Sequence, residues 1–190
     1  RFENLVSFLS FSGQGIFGIP VGVASTYIIL FTIFGAFLRE FGAGDFFFKF
    51  SSSIMQGFRA ASAKTAVLFS TLLGMISGSA AGNVAVTGSF TIPLMRREGY
   101  QSHQAGAIEA VVSTGGQIMP PVMGAAAFIM AEIVGIPYVS VMKAAVVPAL
   151  LFFCSILFVV HLQAIKSGIE PRAKSTEKGA SLTKNLREGA

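Results

Sequence analysis

The chain has 190 residues, of which 53% are hydrophobic and 12% charged, and its mean hydropathy is +0.69. A soluble domain carries about 25% charged residues, so this composition describes an integral membrane protein. The net charge of +5 forms no continuous basic face with interleaved aromatics, which excludes nucleic acid as a partner; the single cysteine, Cys154, excludes an internal disulfide or a multi-cysteine metal site.

The chain opens Arg1-Phe2-Glu3-Asn4, without an initiator Met, a basic n-region or a cleavage site, and reads as cut from a longer polypeptide. Residues 5–20 are apolar but broken by Gly13, Gly15, Gly18 and Pro20; they read as the end of one span followed by a loop. A transmembrane helix is predicted over 21–38, closed by Arg39 and Glu40. The amphipathic stretch 41–64, with Asp45, Lys49, Arg59 and Lys64 beside Phe46, Phe47 and Phe48, is predicted to be an interfacial helix.

Residues 65–95 carry no charge and are interrupted by Ser77-Gly78-Ser79-Ala80-Ala81-Gly82-Asn83. The window is too long for one crossing and too short for two, since a helical span needs roughly 20 residues. It predicts a re-entrant hairpin over 65–97 whose arms, 65–77 and 84–95, would be about 20 and 18 Å long. Asn83 is the expected cap of the second arm. Arg96 and Arg97 would mark the return to the side of departure.

Residues 103–135 contain Gly115-Gly116 and Pro120-Pro121, which one continuous helix does not accommodate. Two half-helices are predicted, 104–114 and 121–134, the second opening on Pro121. Glu109 falls near the start of the first, where favourable N-terminal electrostatics account for it, and Glu132 near the outer end of the second. His103 and His161 read as interfacial. A last transmembrane helix is predicted over 140–165, kinked near Pro148, so that 1–168 form the membrane domain. The tail 169–190 is basic and cytoplasmic. The positive-inside rule then places Arg39, Lys49, Arg59, Lys64, Arg96 and Arg97 on one, cytoplasmic, side.

Two broken elements at membrane depth are the mark of secondary transporters, in which exposed carbonyls coordinate cations and half-helix N-termini face an anion. Each helix end leaves four backbone groups unpaired and carries about half an elementary charge. The candidate groups are the carbonyls at Ser77 and Gly78, the side-chain oxygens of Ser79, Asn83 and Thr87, and the carbonyls and hydroxyl of Thr114, Gly115 and Gly116. The competing interpretation is a non-transporting scaffold or assembly subunit whose small residues only let helices pack closely. No HExxH, paired Asp or Ser-His arrangement points to an enzyme.

The run Ser-Gly-Ser-Ala-Ala-Gly-Asn-Val-Ala-Val-Thr-Gly-Ser-Phe-Thr-Ile-Pro-Leu-Met-Arg-Arg-Glu-Gly-Tyr (77–100) resembles the large permease domain of tripartite ATP-independent periplasmic (TRAP) transporters. The run Ser-Thr-Gly-Gly-Gln-Ile-Met-Pro-Pro-Val-Met-Gly-Ala-Ala-Ala-Phe-Ile-Met-Ala-Glu (113–132) does so too. Gly15-Ile16-Phe17-Gly18 and the Ala-Ala-Ala-Phe wording are most similar to the fused-permease branch served by TAXI-type binding proteins. The resemblance implies one half of an all-α, elevator-type, inverted-repeat transporter, multi-pass in the bacterial inner membrane. It implies import of an organic acid coupled to Na⁺, with no other cofactor. The implied partners are a periplasmic substrate-binding protein, the remaining half of the permease, a small membrane subunit or domain, and the lipid bilayer. Ser77, Gly78, Ser79, Asn83, Thr114, Gly115, Gly116 and Pro120 would surround one Na⁺, with Asn83 and Thr87 near the substrate. Val122 stands where many relatives have Ser.

Overall fold

A computed structural model describes residues 2–12 and 17–169; the predicted basic tail beyond Ile169 lies outside the described residues. Every regular element among the described residues is helical. In chain order these are α1 (Phe2–Phe11), α2 (Ile19–Glu40), α3 (Ala43–Met55), α4 (Ala61–Ser77), α5 (Ala80–Glu98), α6 (Ser102–Gly115), α7 (Ala125–Val134) and α8 (Tyr138–Lys166). Two of them, α2 and α8, are long and apolar enough to cross a membrane. Their large side chains (Leu30, Ile33, Phe37, Leu151, Phe158) stand exposed, an arrangement suited to lipid rather than water.

The continuous helix α2 extends the predicted 21–38 by about half a turn at each end, with Pro20 in its first turn where its missing N–H is not needed. Ala24–Ile28 form a π-helical stretch within it.

The segment 41–64 is not one interfacial helix. It contains α3, a break at Gln56–Ala60, and the first turn of α4. Gln56 leaves helical backbone and Ala60 takes a left-handed conformation, which together start a new helix at Ala61. Helix α3 packs along α4 and α5 instead of lying apart: the Phe48 ring contacts those of Phe69 and Phe90 at centroid distances of 5.6 and 5.5 Å.

Helices α4 and α5 form an antiparallel hairpin. Ser62 at the start of α4 bonds Glu98 at the end of α5, while Ser70 meets Thr87 midway. The turn is only Gly78-Ser79, so each arm is longer than expected: about 25 and 28 Å at 1.5 Å per residue. Helix α6 runs parallel to α4, Glu109 beside Ser70 and Gly116 beside Gly74. After the unwound segment 119–124, α7 and α8 follow. Helix α8 runs back towards the open end of the hairpin: Phe152 covers Gly115, His161 reaches Lys64, and Ala164 and Ile169 join the core with Ala60 and Tyr100. Lys64, Arg96, Arg97 and Lys166 therefore share one end of the bundle.

Arg39 does not share that end. It borders a cavity beside the hairpin turn, with Ile76 and Ser77, roughly 20 Å along α4 from Lys64. The reason is the lengthwise packing of α3, which carries the α2–α3 corner to the level of the turn.

Candidate functional site

The hairpin turn is built by two residues with opposite backbone demands. Gly78 closes α4 in the left-handed region (φ +59°), its N–H bonding Gly74 O. A Cβ at Gly78 would lie 2.1 Å from the carbonyl oxygen of Met123, so only glycine allows the unwound segment to approach. Ser79 is extended and caps α5, its Oγ accepting from the Gly82 N–H at 3.2 Å. The cap expected of Asn83 thus belongs to Ser79: the chain re-enters helix one turn earlier, which puts Asn83 inside α5.

Asn83 is fully buried. Its Nδ2 donates to Ser70 O at 2.9 Å, while its Oδ1 has no partner among the described residues. Ser77 Oγ is likewise buried and unpartnered. An unsatisfied buried polar group costs about 1–3 kcal/mol, so two such oxygens beside one turn call for a partner.

The unwound segment wraps this turn. Gly116 lies against Gly74 and beside Asn83 Nδ2. Val122 N–H donates to Met75 O at 3.2 Å, Gly124 N–H to Gln117 O at 2.7 Å, and Tyr138 Oη to Pro121 O at 3.0 Å. These bonds hold a turn over residues 120–122 with Met123 in the left-handed region (φ +57°), so α7 opens at Ala125 and not at Pro121. Gly115 is packed under the Phe152 ring, and the Thr114 hydroxyl donates to Ala110 O at 2.7 Å on an exposed face. Of the predicted site residues, Asn83 and Gly116 meet at Gly74, Gly78 meets Met123, and Ser77 and Ser79 line the cavity beside α2. Pro120 sits in the unwound segment, and Thr114 and Gly115 offer the site only backbone groups, the Thr114 hydroxyl being turned to the exposed face.

Thr87 lies elsewhere, in a second polar group one turn deeper. Glu109 is 1% exposed and sits between α4, α5 and α6. Its Oε1 accepts from Ser113 Oγ at 3.0 Å, Ser70 Oγ at 3.2 Å and Thr87 Oγ1; its Oε2 accepts from Thr91 Oγ1 at 2.5 Å. Glu109 is therefore not an interfacial carboxylate explained by the start of its helix. It is the eighth residue of α6, with its side chain turned inward against Gly88. The i, i+4 spacing of Thr87 with Thr91, and of Glu109 with Ser113, puts each pair on one helix face and was the available signal. Glu132 is exposed.

At the open end, Tyr100 is buried with its hydroxyl unpartnered. Burial, and secondarily the charge of Glu98, hold its phenol well above the usual tyrosine range.

A family profile described as "Tripartite ATP-independent periplasmic transporter, DctM component" matches residues 6–188. A relative from Sinorhizobium fredii (strain NBRC 101917 / NGR234), "Uncharacterized protein y4mL", is 24% identical over 139 residues, covering 73% of this chain and 33% of that protein. The chain spans about a third of the length of this curated relative.

Proposed function

This chain belongs to the DctM component family of the tripartite ATP-independent periplasmic transporters, and on that premise we propose that it forms one half of the transport domain of a Na⁺-coupled organic-acid importer. The observation that carries the proposal is the pair of unpartnered buried oxygens, Ser77 Oγ and Asn83 Oδ1, beside a turn wrapped by unwound backbone. Oxygen donors with no protein partner, next to carbonyls at a helix end, are what a small hard cation requires.

In this reading the hairpin enters and leaves the bilayer of the bacterial inner membrane on its basic side. Both arms are shorter than the ~30 Å hydrocarbon core, and Lys64, Arg96, Arg97 and Lys166 collect at the open end in keeping with the positive-inside rule. Na⁺ sits between Ser77, Gly78, Ser79 and Asn83 on one side and the backbone of Thr114, Gly115, Gly116 and Pro120 on the other. The amide groups at the start of α5 face the substrate carboxylate, where the helix dipole favours an anion. Asn83, buried, acts on the substrate from beneath the ion, and Thr87, one turn deeper, acts through its bond to Asn83 O. The remaining half of the permease, a small membrane subunit and a periplasmic binding protein complete the assembly.

The experiment is uptake of organic acids by the intact permease containing these residues, with its binding protein, in proteoliposomes across an imposed Na⁺ gradient. Na⁺ should also raise the melting temperature of the same protein. Neither uptake nor Na⁺ stabilisation would leave a scaffold subunit, in which the Gly74–Gly116 contact serves packing alone.

A further inference from the structure

We propose that Glu109 is a proton-binding site of this segment, loaded from water on one side of the membrane and emptied to the other as transport proceeds. The inference rests on the importer reading above and adds a second coupling ion at a second place.

The carboxyl is buried among hydroxyls alone. Ser70, Thr87, Thr91 and Ser113 supply every polar contact it makes among the described residues, and no cation does so. The titratable groups on the packed elements are engaged or exposed. Lys64 of α4 bonds His161 of α8 at 3.2 Å, and Glu98 of α5 bonds Ser62. Arg96, Arg97, His103, Lys143, Cys154 and Lys166 are exposed. Lys64 lies about 9 Å along its helix from Ser70, and Arg96 about 7 Å from Thr91. Taking an ionised carboxylate out of water without a counter-charge is expensive, and an intramembrane carboxyl is a functional group until shown otherwise.

The hydroxyl hydrogens can serve both charge states without moving a side chain. Thr87 has one hydrogen and two acceptors in reach, Asn83 O at 2.8 Å and Glu109 Oε1. Thr91 has the same choice between Thr87 O at 2.9 Å and Glu109 Oε2 at 2.5 Å. With a proton on Oε2, the carboxyl donates to Thr91 Oγ1, Thr91 to Thr87 O, and Thr87 to Asn83 O, while Ser113 donates to Oε1. With the proton gone, both threonine hydrogens rotate to the carboxylate, and Ser70 and Ser113 add theirs. The ring of hydroxyls therefore satisfies the carboxyl in either form. The exchange is a simple one: a carboxylate and a proton from water give a carboxylic acid, and the same proton leaves on the far side.

The ring also touches the ion site. Thr87 donates to Asn83 O in one state and not in the other, and Asn83 ties Ser70 O to the turn. The charge on Glu109 is thereby felt where Na⁺ is proposed to bind.

The test uses the intact permease with its binding protein in proteoliposomes at a fixed Na⁺ gradient. An inward H⁺ gradient should raise wild-type uptake several-fold and have no effect on Glu109→Gln. Thr91→Val keeps the carboxyl but removes the Oε2 partner; it should shift the pH midpoint of the response, and it decides the matter if Glu109→Gln does not fold. Wild-type uptake that ignores the H⁺ gradient, a Glu109→Gln variant that responds like wild type, or an unmoved midpoint in Thr91→Val overturns the proposal. If no gradient drives any uptake, it is the importer reading that falls. The proton site is then judged by infrared titration of the 190-residue chain in lipid. A protonated-carboxyl band lost in Glu109→Gln sustains it, and a spectrum unchanged by that substitution overturns it.

Discussion

Gly74 and Gly116 meet backbone to backbone: a Cβ on Gly74 would lie 2.6 Å from Gly116 Cα, and one on Gly116 would lie 2.9 Å from Gly74 Cα. This contact docks the 3-10 turn that ends α6, just ahead of the unwound segment, onto the first hairpin arm, and no flexible side-chain end is available to give way. Gly74→Ala should therefore lower stability by about 1–3 kcal/mol, the usual range for overpacking. Gly106→Ala in α6, where a Cβ meets nothing within 4 Å, should be neutral or slightly stabilising, because alanine favours helix. Thermal unfolding of the two variants in detergent makes the comparison.

A second pair of glycines separates backbone strain from collision. Gly42 and Gly78 both have positive φ, +79° and +59°, but Gly42 faces open space while Gly78 faces Met123 O. Gly42→Ala should cost roughly 1–2 kcal/mol, the left-handed penalty alone. Gly78→Ala should cost clearly more and abolish Na⁺-dependent stabilisation. Equal losses in the two would mean that the turn and the unwound segment are not packed as described.

Asn83→Ala removes the bond to Ser70 O and also the unpartnered Oδ1. The lost bond and the relieved orphan oppose each other, so stability should change by no more than about 1 kcal/mol. Uptake and the Na⁺ response should both disappear. A wild-type Na⁺ response in this variant would remove the hairpin turn from the ion site.

Tyr100 predicts the alkaline limb of stability. Its phenol is held above the ordinary value near 10 in the folded protein, by burial first and Glu98 second. The unfolded chain therefore loses its phenolic proton first, and stability is intact below pH ~10 and falls above it. Tyr100→Phe should flatten that fall without lowering stability at pH 7, since the hydroxyl has no partner to lose. Denaturant titrations at pH 7 and above pH 10 measure both.

The hairpin was legible because it follows from a mismatch of length. A charge-free window that fits neither one span nor two, with a polar interruption at its centre, leaves few alternatives. The proline pair likewise announced a broken helix. Boundaries were less legible. Lys64 looked like the end of an interfacial segment, yet it lies in the first turn of α4, which the left-handed Ala60 starts at Ala61. Ser79 and Asn83 are both good caps, and the choice fell to the residue whose backbone is extended. The burial of Glu109 was missed for a deeper reason. Its environment is assembled from three helices, and each contributes only a Ser or Thr that is unremarkable in its own segment.

Phe48 ends up wedged against one ring from each arm of the hairpin, Phe69 and Phe90. An aromatic keystone of this kind makes α3 and the hairpin a single lever rather than two hinged parts. Swinging the corner at Arg39 would carry both arms, the turn and whatever it grips through the same arc, and prising the arms apart would break the Phe69–Phe90 edge contact together with one of the two that Phe48 makes.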